Sequence, residues 1–214
     1  MKKYSLLIIA LFTFLNVFSQ KDVEATKLLD NVSKTMSSYN NIFIKFDYVL
    51  HNKAEDVKQK LEGDVVLQGE KYKVNLFGST QIFDGEKTYT IIPENEEVNV
   101  SNADIDDENV VTPSKFFSFY KKGYTYTLDA EKAINGKKIQ FVKLIPIDSD
   151  SEVLSVLVGV DLKNTTIYQV IEKGKNGTDT ILTVRKMKVD QNIGTTFFTL
   201  DEKKYESLDY IINK

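Results

Sequence analysis

The sequence offers few side chains for covalent or metal chemistry. It contains a single histidine, His51, and no cysteine. Nucleophile–base pairs and the commonest zinc sites are built from those residue types, so we predict no catalytic residue, no metal site and no cofactor. A surface position at the end of a strand is the simpler interpretation of His51. Glycine-rich phosphate loops and Gly-x-Ser-x-Gly elbows are also absent from the sequence.

Carboxylates are abundant, with 31 Asp and Glu residues. The stretch 102–109 (NADIDDEN) contains Asp104, Asp106, Asp107 and Glu108, which are oxygen donors of the kind that bind Ca²⁺. Because the central Gly and distal Glu of an EF-hand loop are missing, we interpret the stretch as a solvated loop. A glycosidase would need two acids about 5 to 9 Å apart, and no pair stands out. An enzyme is therefore only our third hypothesis.

Size and charge narrow the classes of partner. The formal net charge is −3 and no basic run is present, so we expect no nucleic-acid partner, since such binding depends on clustered Lys and Arg. About 195 residues remain when the N-terminal segment 1–19 is left out. That length suits one domain with a sizeable core. We expect a monomer.

The N-terminal segment has the layout of an export signal. Lys2 and Lys3 precede the apolar run Ser5–Val17, and the small residue Ser19 stands before Gln20. The run is about 13 residues long, whereas a membrane-spanning helix needs ~20. We therefore predict a signal peptide at 1–19, cleaved near Ser19/Gln20, and a single domain at 20–214. Without a cysteine there is no acceptor for a lipid anchor, so the mature protein is expected to be free outside the cytoplasm.

The remaining chain is predicted to be mostly β-structure after one helix. Apolar residues at three- and four-residue steps predict an amphipathic helix over Asp22–Tyr39. From Asn41 onward the period changes to two, which is typical of strands in an antiparallel meander. The turns between the strands are predicted at Gly69-Glu70, Asp84-Gly85 (as type I′), Asn135-Gly136 and Asn176-Gly177.

A second helix is predicted over Ser114–Tyr120, because Thr112-Pro113 is a helix start. Two helices are too few to cover one whole face of the predicted sheet. Either their apolar residues are simply core residues, or the sheet curves into an incomplete barrel and the helices form a lid over a hydrophobic cavity. The residues of this predicted lid are Leu28, Leu29, Val32, Phe116, Phe117 and Tyr120.

The order of several short motifs resembles that of the outer-membrane lipoprotein carrier LolA and its relatives. After the predicted helix come the Phe-containing strand 42–50, then 62–66 (EGDVV) followed by 71–74 (KYKV). The stretch 82–89 (IFDGEKTY) is similar to the family's "DGk-x-aromatic" hairpin. Later matches are Leu154–Leu162, which contains the "l-x-v-D" Asp161, and Thr196-Phe197-Phe198, which resembles the terminal "F-x-F" strand.

The resemblance implies a mainly β fold with a few helices (α+β), an unclosed antiparallel β-barrel with a helical lid over a hydrophobic cavity. It implies a periplasmic carrier that moves acylated lipoproteins from the inner to the outer membrane. It also implies loading by an ATP-driven inner-membrane release complex; the outer-membrane acceptor is left unassigned. The alternative is a periplasmic module on the same fold that senses lipid or protein without transporting it.

Strand alternation and the resemblance together give candidate cavity residues. Tyr72 falls at the family's aromatic position near the cavity mouth. The Arg that latches the lid in proteobacterial carriers has no counterpart at 68–70, and the only Arg in the chain is Arg185. The predicted cavity residues are Ile44, Phe46, Val65, Leu67, Tyr72, Val74 and Leu76.

Overall fold

The computed structural model describes residues 17–102 and 117–214, with side chains from residue 23 onward. Helix α1 spans Val17–Ser37, which confirms the predicted amphipathic helix, although the helix begins earlier and ends two residues sooner than expected. Ala25 and Leu29 lie on its buried face. The side-chain hydroxyl of Ser38 donates to the carbonyl of Thr35 at 2.7 Å and closes the last turn. Within the described ranges, no helix is both long and apolar enough to cross a membrane.

Among the described residues, twelve strands and one short helix follow α1. A 3-10 turn at Pro93–Asn95 precedes β6, and another at Phe119–Lys121 precedes β7. The short helix α2, Glu202–Glu206, lies between the last two strands. The strands are β1 Ile42–Asn52, β2 Val57–Gln68, β3 Lys71–Leu76, β4 Ser79–Phe83, β5 Lys87–Ile92, β6 Glu97–Asn102, β7 Tyr124–Ile134, β8 Lys137–Pro146, β9 Val153–Asp161, β10 Thr166–Gly174, β11 Thr178–Val189 and β12 Ile211–Asn213.

All twelve strands belong to one sheet, in the order β12-β6-β5-β4-β3-β2-β1-β11-β10-β9-β8-β7. Two meanders, β1 to β6 and β7 to β11, are joined by antiparallel pairing of β1 with β11. The terminal strand β12 pairs with β6 in parallel. Because β7 and β12 lie at opposite edges of the sheet, the barrel does not close within the described residues. The predicted unclosed, mainly antiparallel barrel is confirmed.

The two halves of the sheet are covered differently. Helix α1 packs against β7 and β10, on the face that we call the inner face. Leu29 and Val32 of α1 belong there to the same apolar cluster as Val142 and Leu144 of β8 and Val158 of β9. The helix therefore fills the inner face of one half of the barrel and leaves the inner face of β1 to β4 partly uncovered.

The C-terminal segment covers the outer face of the other half. Phe198 is buried against Val66, Ile82 and Val98 in a second apolar cluster. The prediction of a terminal F-x-F strand at Thr196-Phe197-Phe198 was wrong, because this stretch forms turns. The two phenylalanines contribute their side chains to the outer face instead of a strand. The last strand is β12.

Two other local predictions need correction. The Asp84-Gly85 turn is not type I′, because of these two residues only Gly85 has positive φ. The Asp84 carboxylate accepts hydrogen bonds from the backbone N–H groups of Glu86 and Lys87, which moves the turn one residue onward. At Asn135-Gly136 both φ angles are positive, 50° and 75°, as a type I′ turn requires.

The predicted helix Ser114–Tyr120 is also wrong over 117–120, the part of it that the structure describes. Thr112, Pro113 and 114–116, including Phe116, lie outside the described residues, as does the acidic stretch Asp104, Asp106, Asp107 and Glu108. Residues 117–118 form a turn that leads into the 3-10 turn Phe119–Lys121. Aromatic residues have low helix propensity, and here Tyr120 packs edge-on against Tyr126 instead of continuing a helix.

Candidate binding cavity

An apolar cavity of about 310 Å³ lies on the uncovered part of the inner face. Strands β1 to β4 form one wall, β10 and β11 form the other, and the end of α1 and residue 117 close one side. The lining residues are Met36, Ile44, Phe46, Tyr48, Val65, Leu67, Tyr72, Val74, Leu76, Gln81, Phe117, Ile167, Leu182 and Val184.

All seven residues that the sequence assigned to a cavity line this one. Their cross-strand register explains why they meet. Ile44 on β1 lies opposite Val65 on β2, and Val65 lies opposite Val74 on β3, so the three form one apolar row. Leu67 and Tyr72 form part of the next row. That these residues bind a lipid stays a prediction.

A glycine leaves room for the Phe46 ring in this wall. Phe46 is opposite Gly63 on β2, and a Cβ atom at position 63 would lie 2.6 Å from Phe46 Cζ and 2.9 Å from the carbonyl oxygen of Asn75. Both distances are too short for a real contact. Gly63 is therefore needed for the Phe46 ring to occupy its place in the cavity wall.

The predicted lid residues lie in two places. Leu29 and Val32 are buried and Leu28 is partly buried in the cluster that joins α1 to the inner face, and none of the three lines the cavity. Phe117 does line it, together with Met36 from the last turn of α1, which the sequence analysis did not select. The helix thus contributes to the cavity through its C-terminal end.

Three further lining residues on β10 and β11 were not predicted from the sequence: Ile167, Leu182 and Val184. Alternation along β11 identifies Leu182 and Val184 as members of one face. It does not show that β11 is the neighbour of β1, because pairs such as Tyr48 with Leu182 join residues far apart in the sequence. Only the folded sheet supplies this second wall.

Polar groups are few in the lining. The hydroxyl of Tyr72 donates a hydrogen bond to Oε1 of Gln81 at 3.1 Å. Burial raises the pKa of Tyr72, and a side-chain hydrogen bond with Thr88 acts in the opposite direction. The hydroxyl therefore stays protonated at neutral pH and remains a donor.

Neither His51 nor Arg185 contributes a group to this cavity. The imidazole of His51 lies 3.7 Å from the exposed carboxylate of Asp56, in agreement with a strand-end position. Arg185 on β11 forms ion pairs with Asp47, at 3.2 Å, and with Glu62. Because these ion pairs hold the Arg185 side chain against β1 and β2, it does not latch the lid.

A different contact joins the segment at residue 120 to α1. The hydroxyl of Tyr120 donates to Oδ1 of Asp30 at 2.7 Å, and Nζ of Lys121 lies 3.7 Å from the same oxygen. The Tyr120 ring is buried. Burial and the hydrogen bond to Asp30 raise the pKa of Tyr120. This contact holds the residues that follow the cavity-lining Phe117 against the helix.

We predict that Tyr120→Phe lowers the free energy of unfolding by about 1 to 2 kcal/mol, because it removes a hydrogen bond to a charged acceptor. Urea denaturation measures the loss. The raised pKa of Tyr120 sets the pH dependence: the contribution is complete below the ordinary tyrosine pKa of about 10 and is lost as the pH rises through the folded-state pKa. The variant should therefore differ less from the wild type in strong alkali.

Tyr124→Phe is the matched control. The Tyr124 ring packs in the same aromatic group, against Phe119, and its hydroxyl has no hydrogen-bond partner among the residues that the structure describes. Its removal should change the unfolding free energy by less than about 0.5 kcal/mol. Equal losses in the two variants would contradict the assigned role of the Asp30 contact.

Comparison with known proteins identifies the fold. No family model and no curated protein matches the chain. Among solved structures it is similar to an uncharacterized conserved protein from Thermus thermophilus, with a TM-score of 0.56 and 11% identity over 88% of this chain and 98% of that one. It is also similar to the lipoprotein LppX of Mycobacterium tuberculosis, with a TM-score of 0.53 and 11% identity over 81% of this chain and 100% of that one.

A LolA superfamily protein from Nitrosomonas europaea is a further structural neighbour, with a TM-score of 0.45 and 13% identity over 83% of this chain and 98% of that one. The chain shares its fold with the Thermus protein and with LppX. The LolA family, which the sequence motifs resemble, is thus represented among the structural neighbours.

Proposed function

We propose that the protein is a periplasmic carrier that binds the acyl chains of lipoproteins in its cavity and moves them from the inner to the outer membrane. The observation that supports this proposal best is the apolar lining of the cavity. Among the described residues that line it, only Tyr48, Tyr72 and Gln81 have polar side chains. Ligand cavities in proteins occupy about 300 to 1,000 Å³. At about 310 Å³, this one lies at the lower end of that range and suits a narrow hydrocarbon chain.

An acyl chain that crosses an aqueous compartment has a lower free energy inside an apolar cavity than exposed to water. Each methylene transferred from water to an apolar site is worth ~0.8 kcal/mol, so one acyl chain of ~16 carbons exposed to water costs on the order of 12 kcal/mol. A cavity walled by Ile44, Val65 and Val74 removes most of that cost. The function needs no catalytic group in this chain.

The transfer free energy also determines how the cavity is loaded with an acyl chain from the membrane. A membrane interior is as apolar as the cavity, so transfer from membrane to cavity gains little free energy. Loading then needs work from another machine, for which we propose an ATP-driven inner-membrane release complex. In this proposal residues 1–19 are a signal peptide, 20–214 are the carrier domain, and the working form is a periplasmic monomer.

Lipid binding by the mature protein tests the proposal. Protein purified from the periplasm is examined by native mass spectrometry for bound lipid, then stripped of lipid and titrated with a fluorescent 16-carbon fatty acid. We expect saturable binding with one acyl chain per protein. A protein that carries no lipid and takes up no probe would contradict the proposal.

Depletion in the native cell separates a carrier from a sensing module on the same fold. Loss of a carrier should mislocalise many lipoproteins to the inner membrane, which membrane fractionation detects. Loss of a sensor should change transcription before any lipoprotein is mislocalised. That second order of events would contradict the transport function and favour the sensor.

A further inference from the structure

Gln81 stands out in the cavity wall because an apolar row ends at it. Its position on β4 is opposite Val74 on β3, and Val74 continues the row to Val65 and Ile44. The outward-facing neighbour Ile82 is buried in the outer cluster. An amide at the end of a hydrocarbon row has no packing advantage over Leu or Met, so a polar interaction is the better explanation for it.

In the side-chain amide of Gln81, the oxygen has a hydrogen-bond partner among the described residues and the nitrogen has none. Its Oε1 accepts from the Tyr72 hydroxyl at 3.1 Å, which orients the amide group. Its Nε2 has two N–H donors, and the residues described by the structure supply no acceptor for them. Since Gln81 lines the cavity, these donors are available to whatever fills it.

A purely hydrocarbon ligand would displace water from these donors and leave them unpaired, which is unfavourable. A ligand with a carbonyl oxygen beside its hydrocarbon chain would satisfy them. Acylated lipids have such an oxygen in the ester or amide that joins the chain to the rest of the molecule. The two requirements of the cavity, apolar walls and one donor group, describe an acyl chain together with its carbonyl.

We infer that Gln81 is a specificity-determining residue whose Nε2 donates to the ester or amide carbonyl of the bound acyl group, with Tyr72 holding the amide in place. This inference rests on the proposed function and identifies the part of the lipid that is recognised. It also sets the direction of the chain: the carbonyl lies at Gln81, and the hydrocarbon extends along Val74, Val65 and Ile44.

A merely structural role for the pair makes a different prediction. Tyr72 and Gln81 lie on adjacent strands that the backbone ladder of β3 and β4 already joins. If their side chains only reinforced that ladder, removing the amide would weaken the fold and would not change which ligand is preferred. Ligand preference is therefore the decisive measurement.

The test uses the full mature protein and two probes of equal chain length, 1-palmitoylglycerol and 1-O-hexadecylglycerol. They have the same head group and differ by the carbonyl, which only the ester has. Each probe is titrated in competition with a fluorescent fatty acid. The wild type should bind the ester more tightly, on the order of tenfold, because the ether leaves the amide donors unpaired.

Gln81→Leu should lower the affinity for the ester to that for the ether, and Tyr72→Phe should reduce the preference partially. The control is Gln59→Leu on β2, which makes the same substitution at an exposed site outside the cavity and should retain the wild-type preference. Circular dichroism and thermal melting verify that the variants are folded.

Three results would overturn the inference. Equal binding of both probes by the wild type would refute carbonyl recognition and leave the carrier proposal standing. An ester preference that persists in Gln81→Leu would assign recognition to another group. Binding of neither probe by the wild type would refute the inference and the proposed function together.

Discussion

Replacing Val74 by Glu is expected to weaken acyl-chain binding by on the order of 100-fold, because an ionised or newly buried carboxyl group in an apolar wall is costly. Val74 lies between Val65 on β2 and Gln81 on β4 and lines the cavity. A carboxylate there keeps a hydration shell in the space where the chain would lie. Titration with the fluorescent fatty acid measures the loss.

Val57→Glu is the matched control for this variant. Val57 lies on β2, is 57% exposed and does not line the cavity, so the same substitution there should leave binding unchanged. Val74→Phe adds a test without charge, because the larger ring fills the cavity and should also reduce binding. Unchanged binding in both Val74 variants would show that the acyl chain lies elsewhere.

The largest effect on stability is expected from Asp161→Ala, which should lower the free energy of unfolding by about 3 kcal/mol, since it removes three hydrogen bonds to a buried, charged carboxylate. Asp161 ends β9 and is 1% exposed. Its Oδ2 accepts from Lys137 Nζ at 2.8 Å and Asn164 Nδ2 at 3.0 Å, and its Oδ1 accepts from the Lys163 backbone N–H at 3.0 Å. Urea denaturation at neutral pH measures the loss.

The effect of Asp161 should depend on pH. Burial by itself raises the pKa of this carboxyl group, but hydrogen bonds from Lys137 and Asn164, together with the charge of Lys137, outweigh burial and lower the pKa. A lowered folded-state pKa gives stability that is present above the unfolded pKa, about 3.9, and is lost as the pH falls through the folded value.

The difference between the wild type and Asp161→Asn should therefore shrink when unfolding is measured at successively lower pH below about 4. Asp150→Ala, which changes an exposed loop carboxylate, is the control and should cost less than about 0.5 kcal/mol. A difference that stays constant over the acid range would contradict the role assigned to the charged form of Asp161.

Strand alternation and the family resemblance together selected one wall of the cavity. The set Val65, Leu67, Tyr72 and Val74 alternates with mainly polar residues, and side chains two apart in a strand share a face. Two apolar residues interrupt this alternation, and the structure accounts for both. Val66 faces the outer cluster, and Phe77 is in the turn after β3, at φ 53°, with its ring edge-on to Tyr48.

The sequence by itself determined the first helix, the strand faces and the type of wall, because helical and strand periodicity are local properties of the chain. Only the tertiary structure decided which strands became neighbours. Pairing of β1 with β11 brought Leu182 and Val184 to the second wall, and the docking of α1 over β7 and β10 left the cavity open beside it. These contacts join residues far apart in the chain, and their free energy comes from burying faces that no local pattern assigns to one another.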